Sequence, residues 1–596
     1  MEAVREAAKN IVAENKEQKS TVDKLADITA GSFAGVILED EQDVEKFKIV
    51  LKNSDIKLKA SVIEWIAELA KTEQNRSILT RSGIIGILLH EIEGSDNEVM
   101  LQCFRAVGNI CIHNDEGRKD VLNSGCIGKI LEKFKLMADL SDKELGNLPK
   151  MAYGCVNNIS DENESLQLEL ISHGAVPIFF NCFKSFTRKD NDMAQLVMEA
   201  LSGLAAYDEA KEQFIELQIV EESLSMLPTC SDKIAIVILD SLCELIEDDE
   251  LSRVMCSEKC LVTLMSSGKS RDSFNKQDVA DDVLKKIFDT VVLFTSNESF
   301  QVDCSEKNLL NSFLELLECE NKYVQASGAL ALGNYARNDM VCTDLVKEGV
   351  HEALISLLKT LVDKEDTAEQ MQAALSALKN IAIPVANKSV LISLDLPNIA
   401  ASVVKTSSSV LQFKALAILR LLVQGQADLT AHLCKDSVLL QAVAECAKKD
   451  VITGLCAEAR RLTAALVKNS QCSDSFNAML ANDAMQSLIG LLSSDHFIMQ
   501  NEGLVAIITL LSAGKDAIEK FIKADGLEQS IKLFQQSISK PHLVYNLMTL
   551  FSAVCQQEEG KNILREEVKK DVEKLANGPN EMVQNRCIEL LKLLNS

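Results

Sequence analysis

Through most of the chain, runs of Leu, Ile, Val and Ala are interrupted at regular intervals by polar residues, as in IAIVILDSLCELIEDD at 234–249. Such runs predict amphipathic helices with one face buried. The helices repeat a common ending: a stretch of small residues, often an asparagine, then a polar turn. It reads GNICIHNDEGR at 108–118, NNISDENES at 157–165, LGNYARND at 332–339 and LKNIAIPVANK at 378–388, so Asn109, Asn158, Asn334 and Asn380 hold equivalent places.

The gaps from Asn109 to Asn158 and from Asn334 to Asn380 are 49 and 46 residues. Weaker copies place Gly203, Glu244, Arg420, Ala465, Thr509 and Ala553 where an anchor is due. The mean step is about 44 residues, inside the armadillo/HEAT window of roughly 40–47. A second echo, SGIIGILL at 82–89 and SGCIGKIL at 124–131, returns as HGAVPIFF, EGVHEALISLL and DGLEQSIKLF, and reads as a glycine turn opening the next helix. With WIAELAKTEQNR at 65–76 as one more copy, about twelve repeats are expected. The expected fold is all-α: a right-handed superhelical armadillo-repeat solenoid over 1–596, with caps at 1–50 and 561–596. Repeats at 51–265 and 283–560 flank a polar segment at 266–282 that reads as a loop. Seven prolines, five tyrosines and one tryptophan leave little material for strands.

Catalysis would need a nucleophile with its base, a metal cluster or a phosphate cradle. Seven histidines occur singly, and no GxxxxGK[ST] or GxGxxG opens a helix, so no enzyme, cofactor or metal site is expected. Eighteen cysteines are scattered through apolar helical stretches, as expected of buried free thiols. Cys256 and Cys260 in CSEKC share a helix face, but no second pair or nearby histidine completes a zinc set. With neither a leader nor a membrane span in the sequence, a cytoplasmic protein is expected.

The net charge of −26 disfavours nucleic acid and points to a basic partner. The acid is concentrated: Glu199 to Glu250 holds fourteen Asp/Glu against Lys211 and Lys233. In an armadillo unit the third helix lines the inner surface, and residues four apart on it share a face. That rule pairs Glu199 with Gly203, Asp240 with Glu244, Leu330 with Asn334, Ser376 with Asn380 and Leu416 with Arg420. It turns Glu199, Asp240 and Glu244 inward, with Glu247 and Asp248 one turn on, as a groove for a flexible Lys/Arg-rich peptide. The asparagines have two readings, as rungs between neighbouring units or as holders of an extended partner.

Several segments resemble the Smg GDP dissociation stimulator family of armadillo proteins. They are FRAVGNICIHNDEGR (104–118), GLAAYDEAKEQF (203–214), QASGALALGNYARND (325–339), MQAALSALKNIAIPVANK (371–388), LQFKALAILRLL (411–422) and FIMQNEGLVAI (497–507), in family order. The resemblance implies a monomeric cytosolic protein that binds Rho- and Rap-type GTPases bearing a polybasic tail and a lipid signal. It implies release of GDP, and escort of the GTPase through prenylation and membrane delivery. It also implies an electronegative patch and a binding patch at Asn334 and Asn380. A unit at about 120–167 resembles the family's longer form, whereas Gly203 stands where the family carries asparagine. Two rivals remain: a HEAT-type scaffold, and a nuclear import adapter. The adapter would line its groove with tryptophans, and Trp65 stands alone.

Overall fold

The computed structural model describes residues 37–38, 40–53, 55–94, 96–139, 146–161, 163–276, 281–300, 307–448 and 453–596. Among them every regular element is an α-helix. The helices fall into triplets of two shorter members and a longer third, as in Asp339–Lys347, Val350–Leu361 and Ala368–Ile381. Eleven triplets are complete, and two further units show a pair each, Glu41–Asn53 with Ile56–Leu69 and Lys307–Leu317 with Lys322–Tyr335. The cap expected from 561 is instead part of a full triplet, Glu558–Glu567, Lys569–Leu575 and Glu581–Asn595. The cap expected at 1–50 lies largely outside the described residues.

In eight of the eleven complete triplets the chain reverses between first and second helices through one left-handed residue. Glycine takes that place at Gly83, Gly125, Gly174 and Gly349, but Gln218, Asp395, Asp483 and Asp525 hold it in other repeats. In DGLEQ the left-handed residue is therefore Asp525, and Gly526 is required for another reason. A Cβ there would stand 2.3 Å from the Phe521 ring.

Two sets of side-chain rungs tie the helices together, one joining successive repeats and one spanning a single repeat. In the first, the anchor asparagine donates its Nδ2 to a carbonyl of the preceding third helix: Asn109 to Ala67 at 2.9 Å, Asn158 to Gly108 at 3.3 Å and Asn380 to Gly333 at 3.0 Å. The glycine before the anchor lets the helices close up. A Cβ on Gly108 would meet the Cys155 Cα at 3.0 Å, and one on Gly333 the Ala377 Cα at 3.3 Å. In the second set, a side chain of a first helix reaches the end of the following third helix. Arg76 donates to the Ile112 carbonyl at 2.8 Å, Arg118 to the Asn158 carbonyl at 3.3 Å and Lys388 to Gln424 Oε1 at 3.2 Å. In three of the four endings a later asparagine, Asn114, Asn163 or Asn338, caps the next helix by accepting one of its N–H groups.

The core lies between helix layers and is built from Leu, Ile, Val and Phe, with Trp65, Phe134, Tyr153 and Phe179 fully buried. Cys256 and Cys260 are buried among them, and the Cys256 thiol donates to the Phe294 carbonyl. The described residues cluster in two compact units. One holds residues up to Phe274 and the helix Asp282–Ser296; the other holds Asn275, Lys276 and residues from Lys307 onward. The polar segment 266–282 is thus shared between the units, and the helix that follows it, Asp282–Ser296, stays with the first. Within that segment, Ser266–Lys269 continue the helix Glu258–Lys269, so the expected loop begins four residues late.

Candidate partner-binding faces

Third helices pack side by side in each unit, which leaves one stripe of each exposed. In the first unit the stripe carries Glu199 on Asn191–Leu204, then Asp240 and Glu244 on Asp232–Leu245, with Glu247 in the turn beyond; all four are exposed. Their surroundings differ. Glu199 accepts only from Gln195, at 3.0 Å, and Glu244 and Glu247 form no ion pair among the described residues. Asp240 is paired with Lys286 of the next third helix at 2.5 Å, which raises the lysine pKa.

Asp248 departs from the expected groove set. It caps Asp249–Met255 by accepting from the Glu250 and Leu251 N–H groups, both at 3.0 Å, and pairs with Lys211 at 2.7 Å. Burial alone would raise its pKa; the Lys211 contact and the two N–H groups outweigh it and hold the carboxyl below its usual range. Lys211 occupies the rung position of Arg76 and Arg118, so Asp248 is the receiving end of a rung. Of the five acidic residues, Glu199, Glu244 and Glu247 form no ion pair among the described residues, and Asp240 is partly neutralised.

In the second unit Asn334 and Asn380 sit half-buried near the ends of Lys322–Tyr335 and Ala368–Ile381. The Asn380 amide is held by its rung to Gly333, and the Cys342 thiol donates to its backbone carbonyl at 3.5 Å. The Asn334 carbonyl accepts from Arg337 Nε at 3.0 Å. Apolar side chains stand out to solvent close to both in sequence: Leu330, one helical turn before Asn334, is 36% exposed, Met340 71%, Ile383 50% and Val385 78%. The sequence pattern placed Leu330 on this face but not Met340, Ile383 or Val385, although IPV at 383–385 puts two β-branched residues at the junction between the anchor's helix and the next. In the next third helix the expected register fails. Leu416 is fully buried, and Arg420 pairs with Glu458.

Among the described residues no three His, Cys, Asp or Glu gather as a metal-ligand set, and no helix is long and apolar enough to cross a membrane.

No protein-family model matches the chain. Among solved structures, a chain from work on the cadherin–beta-catenin interaction aligns over 92% of this chain and 98% of its own, at 13% identity and a TM-score of 0.44, too loosely to bear on the fold. Curated relatives are nearer. The GTPase-GDP dissociation stimulator vimar of Drosophila melanogaster is 23% identical over 511 residues, 80% of each chain. Rap1 GTPase-GDP dissociation stimulator 1-A of Xenopus laevis is 30% identical over 527 residues, which span 87% of this chain and 85% of that protein. At that identity and coverage, the repeat endings carrying Asn109, Asn158, Asn334 and Asn380 are those of a member of the GTPase-GDP dissociation stimulator family.

Proposed function

We propose that this chain binds small GTPases of Rho or Rap type and speeds the loss of their GDP, acting by binding alone. Kinship with proteins named for that activity carries the reading, and the two faces suggest how it is done. A flexible Lys/Arg-rich C-terminal tail is attracted to Glu199, Glu244 and Glu247, where local negative potential raises its effective concentration. The globular domain meets the face of Asn334 and Asn380 with its apolar margin of Leu330, Met340, Ile383 and Val385. An amide beside exposed aliphatic groups is the mixture expected of a contact that must hold a folded surface.

Nucleotide release needs no reacting side chain. It needs tighter binding of the nucleotide-free GTPase than of the GDP-bound form, since only a difference in affinity moves an equilibrium. In this reading the protein works as a cytoplasmic monomer that also escorts its GTPase through prenylation and membrane delivery, with the isoprenyl chain housed between Leu/Ile/Val-lined helices.

The test is release of a fluorescent GDP analogue from a Rho-type GTPase carrying its polybasic tail, prenylated or not, with and without the full chain. Accelerated release is expected, with the Glu199→Lys/Glu244→Lys variant about tenfold less effective at 50 mM salt and close to the parent at 0.5 M, where the screening length falls to a few ångström. Release at the intrinsic rate with both GTPase forms would refute the proposal.

A further inference from the structure

The second unit carries a charged face of the opposite sign. Its third helices Ala368–Ile381, Ser409–Leu422 and Thr453–Asn469 bring Lys379, Lys414, Arg420, Arg461 and Lys468 to the layer that also holds Asn380. The arginines have carboxylates of their own. Arg420 pairs with Glu458, and Arg461 grips Glu502 through two N–H groups at 2.7 and 2.9 Å. The three lysines have none: no carboxylate among the described residues lies within ion-pair distance of Lys379, Lys414 or Lys468.

Two further observations bear on what the face takes. Lys379 stands close enough to Lys414 to repel it, which together with the larger effect of burial lowers the Lys414 pKa. Bringing an anion there would relieve an existing repulsion. Beside it, Arg420, Gln424, Arg461, Lys468, Asn469 and Glu502 line a cavity of about 560 Å³. The buried Lys388 donates to Gln424 from behind, so a fourth cation without a carboxylate backs the cavity wall.

We propose that this face docks a carboxylate-rich segment of a protein partner, its Asp or Glu side chains pairing with Lys379, Lys414 and Lys468. Only the partner's identity, the globular domain of a small GTPase, rests on the function proposed above. Carboxylate fits better than an extended phosphate surface for two reasons. The face already seats two carboxylates, Glu458 and Glu502, against its cations. A membrane or nucleic acid would also meet the field of the whole chain at −26, whereas a short segment responds mainly to cations within about 10 Å.

The probe is a fluorescent peptide of eight glutamates titrated with the full chain at 50 mM salt, beside an eight-serine control and inositol hexaphosphate. Binding of the glutamate peptide alone is expected, with at least a tenfold loss in Lys379→Gln/Lys414→Gln/Lys468→Gln. Because Lys379 and Lys414 are half-buried, Lys468→Glu, at an exposed position, is measured separately and should lose severalfold with an unchanged melting temperature. The Glu199→Lys/Glu244→Lys variant should bind the peptide no less tightly than the parent. The idea is overturned if the parent ignores the glutamate peptide, if the lysine variants bind it like the parent, or if inositol hexaphosphate binds the same lysines more tightly. Peptide binding without any stimulation of GDP release would sink the GTPase reading and leave the docking face standing; stimulated release with peptide affinity indifferent to the lysines would do the reverse.

Discussion

At the scale of single residues, the helix turns show where the repeat tolerates a misfit. Gln218 holds φ 51° and ψ 41° in the place that glycine takes at Gly83 and Gly349. A left-handed non-glycine residue is strained by about 1–2 kcal/mol, and glycine returns roughly 0.5–1 of that as extra freedom in the unfolded chain. Gln218→Gly should therefore stabilise the turn by about 0.5–1 kcal/mol, read as slower amide exchange in Ile219–Met226. Faster exchange would show that the turn is relaxed as it stands. His351 is a second misfit, 3% exposed with neither ring nitrogen hydrogen-bonded. Burial lowers its pKa, against a smaller opposing pull from Glu352. The unfolded chain then binds a proton near pH 6.5 that the folded chain refuses, so stability is retained above that pH and lost as pH falls below it. His351→Leu should melt higher than the parent by the equivalent of about 1 kcal/mol at pH 7.5, since an unsatisfied buried polar group is removed, and by more at pH 5.5. Equal differences at the two pH values would mean that His351 takes up its proton in the folded state.

At the scale of elements, the anchor asparagines separate packing from recognition. Asn158 and Asn380 make the same rung, each donating to a carbonyl one residue before the preceding anchor position, so alanine at either should cost about 1 kcal/mol of stability. Only Asn380→Ala should also slow the nucleotide release that the chain stimulates in a GTPase, because only Asn380 stands beside exposed Ile383 and Val385. Exchange at the parental rate in a destabilised Asn380→Ala chain would reduce it to a rung. The position of these asparagines was legible because a 3.6-residue helix repeated at a fixed step leaves a periodic trace. Their hydrogen bonds were not, because an amide that points to a neighbouring repeat reads the same in sequence as one that points to a ligand. Asp248 was misread for a different reason. It stands four residues after Glu244, as Asn338 does after Asn334, and that alignment marks a helix cap. Counting acid residues along the chain hid the cap, since a capping aspartate adds to the tally like any other.

At the scale of the whole chain, charge is where local counting and three-dimensional pairing diverge. The acidic window from Glu199 to Glu250 holds fourteen carboxylates, but cations from outside it reach in: Lys184 pairs with Glu222 at 2.9 Å, Lys259 with Glu221 at 3.5 Å, Arg271 with Asp232 at 3.1 Å and Lys286 with Asp240 at 2.5 Å. Each partner lies about a repeat away, as rungs do, and outside the counted stretch, so a tally within that stretch leaves it out. In the proposed capture of a cationic tail, steering would depend on the few carboxylates left over, and Lys286 would limit it. Lys286→Gln removes one positive charge and releases Asp240 to the exposed stripe beside Glu244. The association rate with a polybasic-tailed GTPase should rise about threefold at 50 mM salt, with little change at 0.5 M, because a rate gained from charge vanishes with screening. The same substitution should leave a tail-deleted GTPase unaffected at either salt. A gain that persists at 0.5 M salt, or that appears without the tail, would place the effect in helix packing and remove the acidic stripe from the account of how the tail is captured.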